Sequence, residues 1–373
     1  LIEFLILISV FALAAANGAN DISKGIATLV GGKVLRPQQA ILWGTLMTAV
    51  GALVGAVVGA SLLRTFSSAM LSEPINSPLL PLAMAFGTIA WLFIATRTGM
   101  PVSTTHALTG GLIGAAWAQA GSAGIVWAAL VQKILLPLAL SPVVAFALAW
   151  SILPVFRRQL VRAHAYCLCV EVQHTSLIPV PAPAGAALLT TADSTALRVI
   201  ADKAEACEQK DTIAGLKVQA ADALHIFTSG LTSFARGMND APKIAALLAV
   251  SWLDGAPALT PLILVALGMC AGSLLRGRRV LHTLSNKITA MDSIEAFSAN
   301  ACSSVLVSTA TFFGMPLSTT HVTTSAIVGI GVGAQRGIDW RVVREIVLAW
   351  VVTLPIAAVL AYFSNFIFHR MAF

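Results

Sequence analysis

The segment Asn17-Gly18-Ala19-Asn20-Asp21-Ile22-Ser23-Lys24-Gly25 constrains this chain most, because it interrupts an apolar run where lipid would forbid it. Residues 1–16 carry only Glu3 and Ser9 as polar positions, and they lead straight into two Asn, an Asp, a Ser and a Lys. An ionisable side chain at membrane depth is costly unless it is paired or faces a watered cavity. Gly18 and Gly25 are expected to let the helix unwind locally, freeing carbonyls for a ligand. The segment recurs as Gly237-Met238-Asn239-Asp240-Ala241-Pro242-Lys243, with Gly, Asn, Asp and Lys at the same relative positions.

The membrane reading rests on composition. Of 373 residues, 57% are hydrophobic and only 10% charged, against about 25% charged in ordinary soluble domains. Mean hydropathy is +0.86. The chain therefore reads as a polytopic membrane protein, its first apolar run being a span and not a cleaved leader. The net charge of +7 comes from connecting segments, where basic residues set orientation; nothing points to nucleic acid. Five cysteines without C-x-x-C spacing argue against a disulfide framework or a zinc site.

Apolar stretches alternate with short polar turns up to about residue 155. Gly44, Gly51, Gly55 and Gly59 recur at a spacing that permits close helix packing in lipid. Residues 156–220 change character: Arg157, Arg158 and Arg162 open a stretch of mixed charge that includes a Pro/Ala-rich run at 179–184. This stretch is expected to be a cytoplasmic connector, partly disordered, with an amphipathic helix from Thr195 to Val218. Residues 1–155 and 221–373 then form two related transmembrane repeats. Asn20 pairs with Asn239, Ser103 with Ser318, His106 with His321 and Trp127 with Trp340, at separations of 219, 215, 215 and 213 residues. Ordered landmarks at nearly constant separation mark an internal duplication. Duplicated transporter halves are often inverted about an axis in the membrane plane, which requires an odd number of crossings per half. A cytoplasmic connector then puts both termini outside. The expected fold is an all-α polytopic membrane protein, two inverted-topology repeats with broken helices and about ten to twelve membrane segments.

Two further segments carry chemistry, Pro101-Val102-Ser103-Thr104-Thr105-His106 and Pro316-Leu317-Ser318-Thr319-Thr320-His321. A helix starting at Ser offers free N–H groups, the positive end of its dipole and three successive hydroxyls. Two such starts meeting near the midplane could hold a tetrahedral oxyanion between them. Ser103, Thr104, Thr105, Ser318, Thr319 and Thr320 are the candidate anion ligands. His106 and His321 read first as braces of the helix starts, with proton relay or ligation as the other reading. Asn20, Asp21, Asn239 and Asp240 offer amide and carboxylate oxygens suited to Na⁺. Lys24 and Lys243, three residues beyond each Asp, could instead neutralise the carboxylates. A dianion carried against a negative interior needs compensating charge, so Na⁺ or H⁺ is the expected coupling ion, and no cofactor is expected.

Taken together, the paired Gly-x-Asn-Asp and Pro-x-Ser-Thr-Thr-His segments, with Gly277-Arg278-Arg279-Val280, resemble the inorganic phosphate transporter (PiT) family. The resemblance covers roughly residues 14–150 and 225–365. It implies an inverted-repeat secondary transporter that moves inorganic phosphate with Na⁺ or H⁺, residing in the cell membrane in contact with lipid. It also implies that the Asn-Asp positions are linked to the cation and the Ser-Thr-Thr positions to phosphate. Many members continue the first motif as Asn-Asp-Val-Ala-Asn-Ala, whereas Lys24 here stands in place of a neutral amide. Sulfate or another tetrahedral oxyanion is the alternative cargo, since helix ends and hydroxyls recognise both. An intramembrane hydrolase or an anion channel is a more remote alternative. A homodimer stays open.

Overall fold

The computed structural model describes residues 2–73, 77–174, 195–203, 212–249, 259–286 and 288–371. It divides into two units, Leu1–Pro154 with His225–Phe373, and Val155–Leu224. The first unit is helical. Its elements are α1 (Ile2–Gly31), α2 (Pro37–Val58), α3 (Ala60–Ser67), α4 (Leu79–Thr98), α5 (Thr104–Ala120), α6 (Trp127–Leu130) and α7 (Leu136–Leu160). They continue, after the second unit, as α8 (Ala220–Ala249), α9 (Leu259–Arg276), α10 (Arg278–Asn286), α11 (Ser293–Phe312), α12 (Thr319–Gly333) and α13 (Trp340–Met371).

Five described helices are long and apolar enough to cross a membrane, or six if α9 and α10, bent by 70°, count as one span. The expected ten to twelve segments are thus not all of this kind. At 17 and 15 residues α5 and α12 are short for an independent span, and α8 carries buried charges.

The expected unwinding at Gly18 and Gly25 does not occur: α1 runs unbroken through both, and α8 through Gly237. These glycines serve close approach instead. A Cβ on Gly18 would run into the backbone of Met269, one on Gly272 into the backbone of Ala15, and one on Gly25 into Ser233. So α1 and α9 touch backbone to backbone, the small-residue contact on which helix association in lipid relies. Chain breaks fall elsewhere, at Gly59 between α2 and α3 and at Gly277 between α9 and α10.

Two helical hairpins, α4–α5 and α11–α12, have matching tips. Gly99 (φ 75°) and Gly314 (φ 68°) end the first arms in the left-handed region. Met100 N–H bonds Ala95 O and Met315 N–H bonds Ala310 O, as expected of a glycine-terminated helix. A proline follows in each case, and Ser103 and Ser318 then cap the second arms by accepting from the N–H of His106 and His321, both at 3.2 Å. Around α1 pack α2, α4, α9 and α10, while α13 packs on α4 and α5.

The second unit contains a three-stranded antiparallel sheet, order β2-β1-β3, from β1 (Tyr166–His174), β2 (Thr195–Lys203) and β3 (Thr212–Gln219). The amphipathic helix expected from Thr195 to Val218 is therefore corrected to strands. Val199, Ile200 and Val218 are β-branched, a type of side chain that packs better on a pleated surface than on a helix. The expected disorder falls largely on residues outside the described ones. Cys167, expected to be unbridged, is disulfide-bonded, a pairing that sequence spacing does not reveal; Cys270 and Cys302 are free.

Replacing Gly272 by Val should force α1 and α9 apart. Overpacking of this kind costs about 1–3 kcal/mol, so the thermal unfolding midpoint in detergent should fall. An unchanged midpoint would mean that the contact is slack.

Candidate functional site

The ionisable residues of the two Asn-Asp segments converge in the interior. Asn20 and Asp21 have no exposed surface, and Lys24, Arg236, Asp240 and Lys243 are at most 2% exposed, so the cluster is closed to solvent.

Each repeat contributes one lysine–carboxylate pair. Lys24 Nζ lies 2.5 Å from Asp21 Oδ1 and donates to Val102 O at 3.2 Å. Lys243 Nζ lies 3.3 Å from Asp240 Oδ1 and donates to Leu317 O (2.9 Å), Thr105 Oγ1 (2.8 Å) and Asn239 Oδ1. The lysines sit one turn beyond Asn20 and Asn239, on the helix face of the carboxylates. The helices stay helical here, so the carbonyls that reach the ammonium groups come from the hairpin tips.

The hairpins also bond to each other. Thr105 Oγ1 donates to Leu317 O at 3.0 Å, and Thr320 Oγ1 donates to Val102 O at 2.8 Å. Asn20 Nδ2 donates to Met100 O (3.1 Å) and Thr96 Oγ1 (3.4 Å), and Asn239 Nδ2 donates to Thr311 Oγ1 (2.8 Å). The two helix starts are thus brought face to face, with the same bonds made twice. Thr104 Oγ1 donates to Asp21 Oδ2 at 3.0 Å, and Thr319 is buried. Ser103 and Ser318 each use the hydroxyl oxygen as an acceptor in the cap, an interaction that does not consume the hydroxyl proton.

His106 and His321 stand apart from the carboxylates. Their rings lie 4.7 Å centroid to centroid, and the His321 ring lies 4.0 Å from Trp350. His321 Nδ1 is 3.1 Å from Leu138 O, the geometry of a brace. The donor set around each lysine is of the kind that suits a hard monovalent cation, but the ammonium groups fill it. Sodium does not fit while they stay there.

Two residues of the cluster were not among the candidate ligands read from sequence. Asn17 Nδ2 bridges both carboxylates, at 3.0 Å from Asp21 Oδ2 and 3.4 Å from Asp240 Oδ2, and donates to Thr104 Oγ1 at 3.0 Å. Arg236 occupies the same place in the second repeat, 219 residues on. Its Nη2 donates to Thr48 Oγ1 at 2.6 Å, and its Nε and Nη1 are buried without a hydrogen-bond partner. Both carboxylates act on it electrostatically. An arginine one turn before Asn239-Asp240, at the position that Asn17 holds in the first repeat, was the available signal. The cluster's own groups, taken as ionised, are three cations and two carboxylates.

Breaking a buried pair from one side leaves an uncompensated charge, at a cost of about 3–5 kcal/mol. Asp21→Leu alone should therefore lower the thermal midpoint more than Asp21→Leu together with Lys24→Leu. Equal losses would remove the pair as a stabilising unit.

Residues 17–361 match the family described as the phosphate transporter family. A probable low-affinity inorganic phosphate transporter of Rhizobium meliloti (strain 1021) is 28% identical over 358 residues, covering 94% of this chain and 91% of that protein. One of Bacillus subtilis (strain 168) is 26% identical, covering 100% of this chain and 98% of its own. The fold matches that of a solved structure described as the sodium-dependent phosphate transporter, with TM-score 0.77, 99% coverage of both chains and 20% identity. The chain belongs to the phosphate transporter family, whose members are transporters and not enzymes.

Proposed function

We propose that this chain imports inorganic phosphate by alternating access, coupled to a cation, through two inverted repeats that meet at the buried cluster. The observation that carries this reading is the charge of the closed site. Three cations face two carboxylates beside two helix N-termini, so an entering oxyanion completes the balance instead of adding an unpaired charge.

Phosphate oxygens would take the free N–H groups of α5 and α12 and the hydroxyls of Thr104, Thr105, Thr319 and Thr320, with Ser103 and Ser318 holding the helix starts in shape. In the closed state Thr105 and Thr320 spend their protons on Leu317 O and Val102 O of the opposite hairpin. Phosphate can claim those hydroxyls only by releasing the cross-hairpin bonds. Arrival of substrate and separation of the hairpins thereby become one event, which alternating access needs.

Asn20, Asp21, Asn239 and Asp240 form the cation-linked half of the site. Lys24 and Lys243 act as built-in cations on their oxygens, which favours H⁺ over Na⁺ as the ion that drives uptake. His106 and His321 brace the helix starts. Sulfate remains the rival cargo, because hydroxyls and helix ends bind both oxyanions; an acceptor for the phosphate proton, Asp21 or Asp240, would discriminate. The reading places the chain in the cell membrane with residues 156–220 cytoplasmic and both termini outside. The ten to twelve membrane segments include the short hairpin arms.

The test is radiolabelled phosphate uptake into proteoliposomes under an imposed proton or sodium gradient, with sulfate as competitor. Proton-driven uptake little affected by sulfate is expected; stronger inhibition by sulfate than by unlabelled phosphate would move the cargo to sulfate. Thr105→Val with Thr320→Val should raise the half-saturation concentration about a hundredfold or more, each of the two lost hydrogen bonds to a charged ligand contributing about 1.5 kcal/mol or more. An unchanged value would remove the hydroxyls from the site. Lys24→Asn should introduce sodium dependence, and uptake still indifferent to sodium would count against the built-in cation.

A further inference from the structure

The buried cluster has a neighbour that its own chemistry does not use. A cavity of about 730 Å³ opens between α1, α4, α9 and the start of α10. Its inner wall includes Ala19 and Thr96, and Thr96 is the residue whose hydroxyl accepts from Asn20. Four arginines line it as well: Arg97, Arg276, Arg278 and Arg279. All four are exposed, and among the described residues no ion pair involves any of them. Arg279 Nη1 donates to Arg97 O at 3.1 Å and the Arg97 guanidinium lies 4.6 Å over the Phe93 ring, so two of the four are held in place.

The corresponding positions in the other repeat carry no charge. The chain bends at Gly59 and at Gly277, 218 residues apart. The hairpin glycines report the same correspondence in space: a Cβ on Gly99 would lie closest to Thr283 and Arg279, and one on Gly314 would meet Ser61. By this register Arg276, Arg278 and Arg279 answer to Val58, Ala60 and Ser61, and Arg97 answers to Phe312. Arg64 answers to His282 and lies outside the set. The central site is nearly two-fold; its approaches are not.

We infer that the four arginines form an anion antechamber on one face only, a second and weaker site that holds inorganic phosphate next to the closed central site. This rests on the transport reading above and extends it to access. Guanidinium groups suit phosphate by their forked donors and permanent charge. Like charges gathered at the mouth of a low-dielectric cleft raise the local concentration of a counter-ion. With no such cluster among the described residues at the corresponding positions of the other repeat, the two faces of the carrier meet phosphate with different apparent affinities.

The test uses the full chain in proteoliposomes of neutral phosphatidylcholine, sorted by orientation so that phosphate is presented to one face at a time. Replacing Arg97, Arg276, Arg278 and Arg279 by Gln should raise the half-saturation concentration at one face about fivefold or more, and abolish the salt dependence seen there. The other face should keep its wild-type value. No change at either face, or an equal change at both, would overturn the antechamber. Thr105→Val, which touches the shared central site, should instead weaken both faces. If wild-type protein shows no phosphate uptake at all, the transport reading has failed, and binding of inorganic phosphate to the full chain in detergent then decides the arginine site: the four substitutions should weaken it about fivefold, and unchanged binding would overturn the antechamber. An effect of the arginine substitutions that appears only after phosphatidylglycerol is added would assign the cluster to a lipid headgroup and also overturn the proposal.

Discussion

Five ionisable side chains sealed in an apolar interior, Asp21, Lys24, Arg236, Asp240 and Lys243, are the constraint on which the rest of this structure depends. Burial of a single ion is severely penalised, and a cluster survives only where each charge finds a partner and further hydrogen bonds. Here each lysine pairs with the carboxylate three residues before it, and both carboxylates share Asn17. The two hairpin tips meet the further demand of the lysines, through the carbonyls of Val102 and Leu317 that receive the ammonium groups, whereas Arg236 keeps two guanidinium nitrogens without a hydrogen-bond partner. The hairpins must therefore end where they do, and glycine, proline and serine at each tip are what ends them.

This arrangement ties stability to function. On the transport reading proposed above, a tetrahedral anion would compete with the Val102 and Leu317 carbonyls for the hydroxyl protons of Thr320 and Thr105, so the closed state is held by bonds that a substrate can replace. A site built from permanent side-chain ligands alone would bind without any reason to open. On that same reading, bonds crossing between hairpins would serve as a two-state element, closed on itself or opened around a ligand, of the kind that coupling between sites requires.

Near-symmetry at the centre and asymmetry around it have different physical origins. The centre repeats because one bonding scheme, Lys to carboxylate to hairpin carbonyl, solves the burial problem on both sides. It departs from two-fold order at Asn17 and Arg236, where a neutral amide on one side answers a guanidinium on the other. No burial penalty acts on the exposed mouth of the cavity, so Arg97, Arg276, Arg278 and Arg279 are free to differ from Phe312, Val58, Ala60 and Ser61.

Much of this was legible in the residues alone. The duplicated motifs, their register, the helix starts at Ser103 and Ser318, and the pairing of Lys24 and Lys243 with the carboxylates follow from local rules: periodicity, capping chemistry and the three-residue spacing of a helix. What local rules could not decide was what each glycine was for. Gly18 and Gly25 read as points of unwinding, and only the approach of Met269 and Ser233 shows that they make room for neighbours. The strands at residues 195–203 and 212–219 were likewise hidden, because pairing with β1 depends on partners distant in sequence. Asn17 bridging two carboxylates, the exchange of hydroxyls between hairpins, and the gathering of arginines from α4, α9 and α10 around one cavity are all long-range. Sequence determined which groups had to be buried together, since their cost in lipid is intrinsic to them; tertiary structure alone decided which partners would meet that cost, because partners from separate helices become neighbours only once the helices pack.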